Sequence, residues 1–203
     1  MEIAETIQLA KTGDGQSLGA LLATHERYLK LLADVQLGQT LRRKVDASDI
    51  VQETFLEAHR GIQRFEGSTG EQLVAWLKTI LAARLANTMR HYVGTKARDV
   101  RLEEQIGQSI EQSSVSLQTM LADPHSSPSQ HLAGKEQTQF IAEALLRLGD
   151  DYREVIVMRH LEGLSFPEIA ASMNRSVDSV EKLWLRGMAK LRQEVRKGEH
   201  DAK

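Results

Sequence analysis

Apolar residues recur three and four positions apart along most of this chain, the spacing of one face of an α-helix. Residues 3–92 read as a run of helices with breaks at residues 13–15 and 38–44. The clearest helix starts near Asp46 or Ser48, where Val51, Phe55, Ala58, Ile62 and Phe65 form an apolar stripe opposite a polar side. Residues 66–70 form a glycine-bearing turn. Leu73, Leu77, Ile80, Leu81, Leu85 and Met89 then mark another amphipathic helix. Its other side places Thr79, Ala82, Ala83, Ala86 and Arg90 on one arc, with Asn87 at the margin. Small side chains permit close approach, and neighbouring Arg90, His91 and Lys96 favour nucleic acid over helix packing as the occupant.

Between residues 95 and 134 the pattern dissolves into Gln, Ser and Glu, with two prolines in ADPHSSPSQH, and predicts a flexible linker with at most a short helix at 102–106 or 115–121. A second unit begins at Glu136. Phe140, Ile141, Ala144, Leu145 and Leu148 form a stripe ending at Gly149, and Asp150 or Asp151 can cap the next helix, buried through Tyr152, Val155, Ile156 and Leu161. After Gly163 comes SFPEIAASM, in which Ser165 and Glu168 have the spacing of a capping box. Met173, Asn174 and Arg175 break that helix. Ser176 opens another whose Val177, Val180, Leu183, Trp184, Met188 and Leu191 recur at helical spacing. Its other face carries Asp178, Ser179, Lys182 and Arg186, with Lys190, Arg192, Arg196 and Lys197 beyond. Two helices across so short a turn make a helix-turn-helix, whose second member suits the major groove of DNA. An ordinary helical hairpin with a solvated charged face has the same pattern.

Composition supports two small helical units: of 203 residues only three are proline, 4% are aromatic, and helix-favouring residues dominate. The expected fold is all-α. A net charge of −2 gives no bulk positive field, so DNA contacts must use local patches. One patch holds Arg84, Arg90, His91, Lys96, Arg98 and Arg101, and the other spans residues 186–197. Acidic Asp46, Asp49, Glu53 and Glu57 suggest a separate, protein-facing surface. Cysteine is absent, which excludes disulfides and thiolate chemistry. No stretch has the length of a membrane span or the form of a signal peptide, so a cytoplasmic protein is expected.

Enzyme classes fare poorly. The seven histidines are scattered, and no HExxH, phosphate loop or GxSxG elbow is present. No catalytic residue, cofactor or metal site is expected; His59 and His160 read as structural or solvated. Trp184 reads as a core residue. Trp76, just after the glycine-bearing turn, reads either as core or as a platform beside an unpaired strand.

Taken together, DIVQETFLEAHRGIQRF at residues 49–65, WLKTI from Trp76, and DYREVIVMRHLEGLSFPEIAASMNRSVDSVEKLWLRGMAKLR at residues 151–192 resemble the bacterial sigma factors of RNA polymerase, of the sigma-70 family and its compact extracytoplasmic-function group. The resemblance covers nearly all of the chain. It implies a region-2-like domain at 1–94, a linker at 95–134, a region-4-like domain at 135–197 and a tail at 198–203. It also implies core RNA polymerase and promoter DNA as partners, and accommodates an anti-sigma factor. By position, Asp49, Gln52 and Glu53 would meet polymerase. The turn at 66–70 and the helix after it would capture and melt the upstream end of the minus-ten element, through Thr79, Ala83, Asn87 and Arg90. Arg175, Ser176, Asp178, Ser179, Lys182 and Arg186 would meet the minus-thirty-five element.

The chain departs from that family in places. Glu181 stands where lysine is common and Leu183 where arginine is common, which lowers phosphate affinity there; Ala82 and Ala83 stand where Arg and Asn are frequent. Gly149 replaces a common proline. The chief rival is a two-domain helix-turn-helix regulator acting without stable polymerase binding; a helical interaction protein without promoter preference is a third reading.

Overall fold

The structure, a computed structural model, describes residues 3–93, 100–121 and 134–201. It is all-helical, and among the described residues there is no strand. The chain divides into two compact units, Met1–Glu111 and Gln112–Lys203.

In the first unit, α1 (Ile3–Lys11) turns through Gly13, at φ 100°, into α2 (Gly15–Arg42). Asp14 caps α2 by accepting the amide N–H groups of Gln16 and Ser17 at 3.3 and 3.1 Å, and its hydrogen bonds with Ser17 hold its carboxyl below the usual range. The break expected near residue 38 is a kink inside α2, where Gly38 adopts φ 57° and ψ 174°. α3 (Ala47–Gly61) starts at the N-cap Asp46, whose carboxylate accepts the Ser48 N–H at 2.8 Å. A 3-10 turn (Ile62–Arg64) and a short loop lead to α4 (Gly70–Val93). α3 packs against both α2 and α4, and α2 also against α1 and α4. Ile7, Leu29, Leu32, Leu73, Leu77, Leu81 and Leu85 are fully buried, each such side chain stabilising the fold by roughly 1.5–3 kcal/mol before entropy is counted.

Two expectations change here. Ala82 and Ala86 are buried, so they belong to the packing side of α4 with Leu81 and Leu85 rather than to an open arc. The segment expected as a linker carries a 21-residue helix, α5 (Val100–Met120), in which Ile106, Ile110, Ser113, Ser114 and Leu117 are buried. Its stripe is narrow and partly serine, which hides it from an apolar-periodicity reading. Residues 94–99, with Lys96 and Arg98, and residues 122–133, with the ADPHSSPSQH run, lie outside the described residues.

In the second unit, α6 (Gly134–Arg147), α7 (Asp150–His160) and α8 (Phe166–Met173) all pack on α9 (Val177–Asp201). Gly187 makes the α7–α9 crossing close: a Cβ there would stand 3.1 Å from Ile156 Cδ1 and 3.3 Å from Tyr152 Cδ1. The cap of α7 is Gly149 rather than Asp150 or Asp151; the aspartates occupy the first turn and pair with arginines instead, Asp150 with Arg153 and Asp151 with Arg175. Val177, expected inside, is exposed, because it opens α9 before the helix reaches its neighbours.

Candidate nucleic-acid and partner interfaces

Three surfaces hold the candidate residues. On α3, Asp49, Gln52 and Glu53 are all exposed and fall on one side of the helix, opposite the buried Ile50, Val51, Thr54 and Ala58. Leu56 completes that row at 59% exposure, an apolar side chain set among carboxylates and amides. Sequence reading passed over it because its neighbours 55 and 58 belong to the core stripe. Asp46 is exposed too, and its carboxylate is the helix cap: hydrogen bonds with Ser48 hold its carboxyl low, and Lys30 also donates to Ser48 Oγ at 2.6 Å.

The second surface begins at the loop joining the 3-10 turn to α4. Arg64, Phe65, Glu66, Gly67, Gln72 and Trp76 line an open cleft of about 590 Å³. Phe65 stacks on Trp76, ring centroids 4.9 Å apart and planes 24° from parallel. Gly61 lies under the indole, where a Cβ would come within 3.1 Å of Trp76 Cζ2. Trp76 is therefore a half-buried wall that leaves only part of its ring to the cleft. The loop is braced by a reciprocal exchange: Gln72 Oε1 accepts from the Ser68 and Thr69 amides at 2.8 and 3.2 Å, and Thr69 Oγ1 accepts from the Gln72 amide at 3.2 Å. From Trp76 a row continues along α4 through Thr79, Ala83, Asn87 and Arg90 at helical spacing. Thr79 and Asn87 are exposed, and Ala83 and Arg90 half-buried. The Arg90 guanidinium donates to Asn87 Oδ1, so those two act as one polar group. The structure thus joins the cleft and the α4 residues into one continuous strip.

The third surface is the helix-turn-helix. Ser165 and Glu168 form the full capping box at the start of α8, Ser165 N–H donating to Glu168 Oε2 at 2.7 Å, and the hydroxyl and amide of Ser165 hold the Glu168 carboxyl below its ordinary value. Asn174 ends α8 in the left-handed region, φ 52°, and Ser176 Oγ accepts the Ser179 N–H at 3.3 Å as α9 begins. The exposed side of α9 carries Asp178, Lys182, Leu185 and Arg186, with Ser179 half-buried beside them. Two of the expected DNA cations are already engaged: Lys182 pairs with Asp178 at 2.8 Å, and Arg175 with Asp151 on α7 at 2.5 Å. Leu185 is 60% exposed in the same row.

Behind this surface an aromatic cluster joins α7, α8 and α9. Trp184 packs against His160 and, edge to face, against Phe166, over which the Arg159 guanidinium lies 4.8 Å from the ring centroid. Burial, with the neighbouring Arg159 charge, pushes the His160 imidazole below its ordinary value. Trp184 is thus a packing residue. Among the described residues no cluster of His, Cys, Asp and Glu could hold a metal, and no helix is long and apolar enough to cross a membrane.

Residues 24–96 match the family model Sigma-70 region 2, and residues 140–191 match Sigma-70, region 4. The chain is 27% identical to an ECF RNA polymerase sigma-E factor of Haemophilus influenzae over 86% of this chain and 85% of that one. It is 24% identical to the RNA polymerase sigma factor YlaC of Bacillus subtilis, over 76% of this chain and 80% of that one. The Escherichia coli ECF RNA polymerase sigma-E factor is 28% identical over 86% and 84% of the two chains. A solved structure of CnrH in complex with the cytosolic domain of CnrY aligns over 96% of this chain and 97% of that one at 22% identity with a TM-score of 0.34, too loose to bear on function.

Proposed function

The chain belongs to the sigma-70 family of RNA polymerase sigma factors, in its extracytoplasmic-function group, and we propose how its three surfaces share the work of such a factor. It is a non-enzymatic initiation factor that binds core RNA polymerase and directs promoter-specific transcription. The α3 row, with Asp49, Gln52 and Glu53 around Leu56, docks on polymerase: an apolar centre ringed by polar side chains is the build of an interface anchor. The helix-turn-helix enters the major groove at the minus-thirty-five element, Arg175, Lys182 and Arg186 meeting phosphates and Ser176, Asp178, Ser179 and Leu185 facing base edges. The cleft beside Phe65 and Trp76 holds a base taken out of the stack at the upstream end of the minus-ten element, and Thr79, Ala83, Asn87 and Arg90 track the strand that leads to it. Unstacking a base costs a few kcal/mol, and an aromatic wall with adjacent amides and Arg64 can offset that.

The observation that carries this reading is the order, on one chain, of an exposed partner-type helix, a braced aromatic cleft and a helix-turn-helix. Gel shifts on a promoter library, with and without core polymerase, test it together with run-off transcription. Tight, sequence-selective binding and initiation are expected only with polymerase. Equally tight binding to an operator without polymerase would establish the rival regulator, and no initiation on any fragment would sink the assignment.

A further inference from the structure

The cleft loop is held from a distance by the N-terminal helix. Lys11, the last residue of α1, donates from Nζ to the Gly67 carbonyl at 2.7 Å, and the same ammonium lies 5.3 Å from the centroid of the Phe65 ring. The hydrogen bond reaches across 56 positions of sequence, and both Gly67 and Phe65 line the loop side of the cleft. Ile3, at the other end of α1, stands against Gly70, where a Cβ would come within 2.8 Å of Ile3 Cδ1. At Gly67 a Cβ would meet Phe65 Cζ at 2.3 Å and Gln72 Cβ at 2.9 Å, so the loop backbone has one narrow path between Phe65 and Gln72. α1 thus touches the loop through Lys11 and the first residue of α4 through Ile3, while the intervening Thr6, Ile7 and Ala10 are buried and anchor the helix itself.

We propose that Lys11 is a positioning residue for strand capture, holding the Gly67 carbonyl and the Phe65 ring so that the cleft between the loop and Trp76 is formed before DNA arrives. The physical reason is preorganisation. A loop of small polar residues loses conformational freedom when a base docks, and a bond already made to its backbone removes part of that loss in advance. An ammonium bound to a half-buried carbonyl is a charge-assisted bond, stronger than a neutral one. Arginine could make it with altered geometry; a methionine of similar length could fill the space and could not make it.

This inference rests on the reading of the cleft as the seat of an unstacked base, and its test separates the two. Holoenzyme carrying Lys11→Met, Lys11→Arg, Gly67→Ala or Trp76→Leu is assayed on a promoter with 2-aminopurine at the upstream end of the minus-ten element. Opening is followed by fluorescence, with sigma–polymerase affinity measured separately. Lys11→Met is expected to slow opening about tenfold with polymerase affinity unchanged, and Lys11→Arg to recover most of the rate. Gly67→Ala, which disturbs the loop without touching the lysine, is expected to reproduce the defect. A promoter with a premelted bubble should still bind Lys11→Met holoenzyme more weakly than wild type, because capture as well as melting needs the shaped cleft. If Lys11→Met opens within twofold of wild type while Trp76→Leu is defective, the positioning role of Lys11 is overturned and the cleft stands. If Trp76→Leu and Gly67→Ala also open normally, the reading of the cleft itself fails.

Discussion

Trp184 on α9 donates its indole N–H to His160 Nε2 on α7 at 3.1 Å. The indole can only donate, so the imidazole accepts on Nε2 and, when neutral, carries its proton on Nδ1. This bond crosses from the recognition helix to the helix that supports it, with Phe166 and Arg159 packed beside it.

Replacing His160 by Phe keeps the ring and leaves the half-buried indole N–H without its acceptor. The expected cost is about 1–2 kcal/mol, measured by urea unfolding followed at 222 nm, whereas Gln, which offers a carbonyl oxygen, should restore part of it. Equal stability of the Phe variant and wild type would show that the bond contributes nothing.

Acid should destabilise the first unit through His25. Burial lowers its pKa from 6.5 to about 4, so the folded state keeps the ring neutral where the unfolded chain protonates it. Its contribution is complete above pH 6.5 and is lost as pH falls towards 4, by up to about 1.4 kcal/mol per pH unit inside that window. A His25→Leu or His25→Gln variant should flatten the stability profile between those pH values; an unchanged slope would assign the acid sensitivity to other groups.

On α3, Gln52→Ala and Glu53→Ala should leave unfolding midpoints within about 0.5 kcal/mol of wild type, since both side chains are solvent-exposed. Polymerase affinity, followed by fluorescence anisotropy, should fall for each, and Leu56→Asp should lower it by at least tenfold, about 1.4 kcal/mol. Retained affinity in all three would remove α3 from the interface.

Ser165→Ala breaks the capping box at the start of α8. The expected loss is about 1 kcal/mol, and Ser165→Thr should recover most of it. Chemical denaturation of the variants decides the point: an Ala variant as stable as wild type would show that the Glu168 side chain alone carries the cap.

Arg186 has no ion pair among the described residues and faces outward on α9. Arg186→Ala should weaken holoenzyme binding at all promoters alike and lower the salt dependence by about one phosphate contact. A loss confined to certain base pairs would instead make Arg186 a base reader.

Much of this fold is written in apolar spacing: the stripes of α3, α4, α6 and α9, and the capping box at Ser165, lie where the sequence places them. Local rules fail where the partner is distant. α5 hides because its buried stripe includes Ser113 and Ser114, and Asp151 looks like a cap because nothing nearby in sequence reveals Arg175 as its partner. The cleft is legible only in part, since the turn at 66–70 and Trp76 stand out in the sequence and Lys11 does not. Its wall, its loop and its lysine come from Trp76, Gly67 and Lys11, and only folding brings the last to the other two.

The pairing of Arg175 with Asp151 and of Lys182 with Asp178 bears on where the molecule spends its time in a cell. A chromosome offers on the order of 10⁶ or more stretches of irrelevant duplex, and a factor with bare cations on its reading head would be soaked up by them. At Arg175 and Lys182 a phosphate must first evict a carboxylate, an exchange that costs up to about 1 kcal/mol per exposed pair and several-fold in affinity when both are involved, and of the three cations Arg186 alone stands ready. Bulk DNA is thereby a poor sponge for the unaccompanied factor, which leaves more of it unclaimed for the enzyme that has to find it.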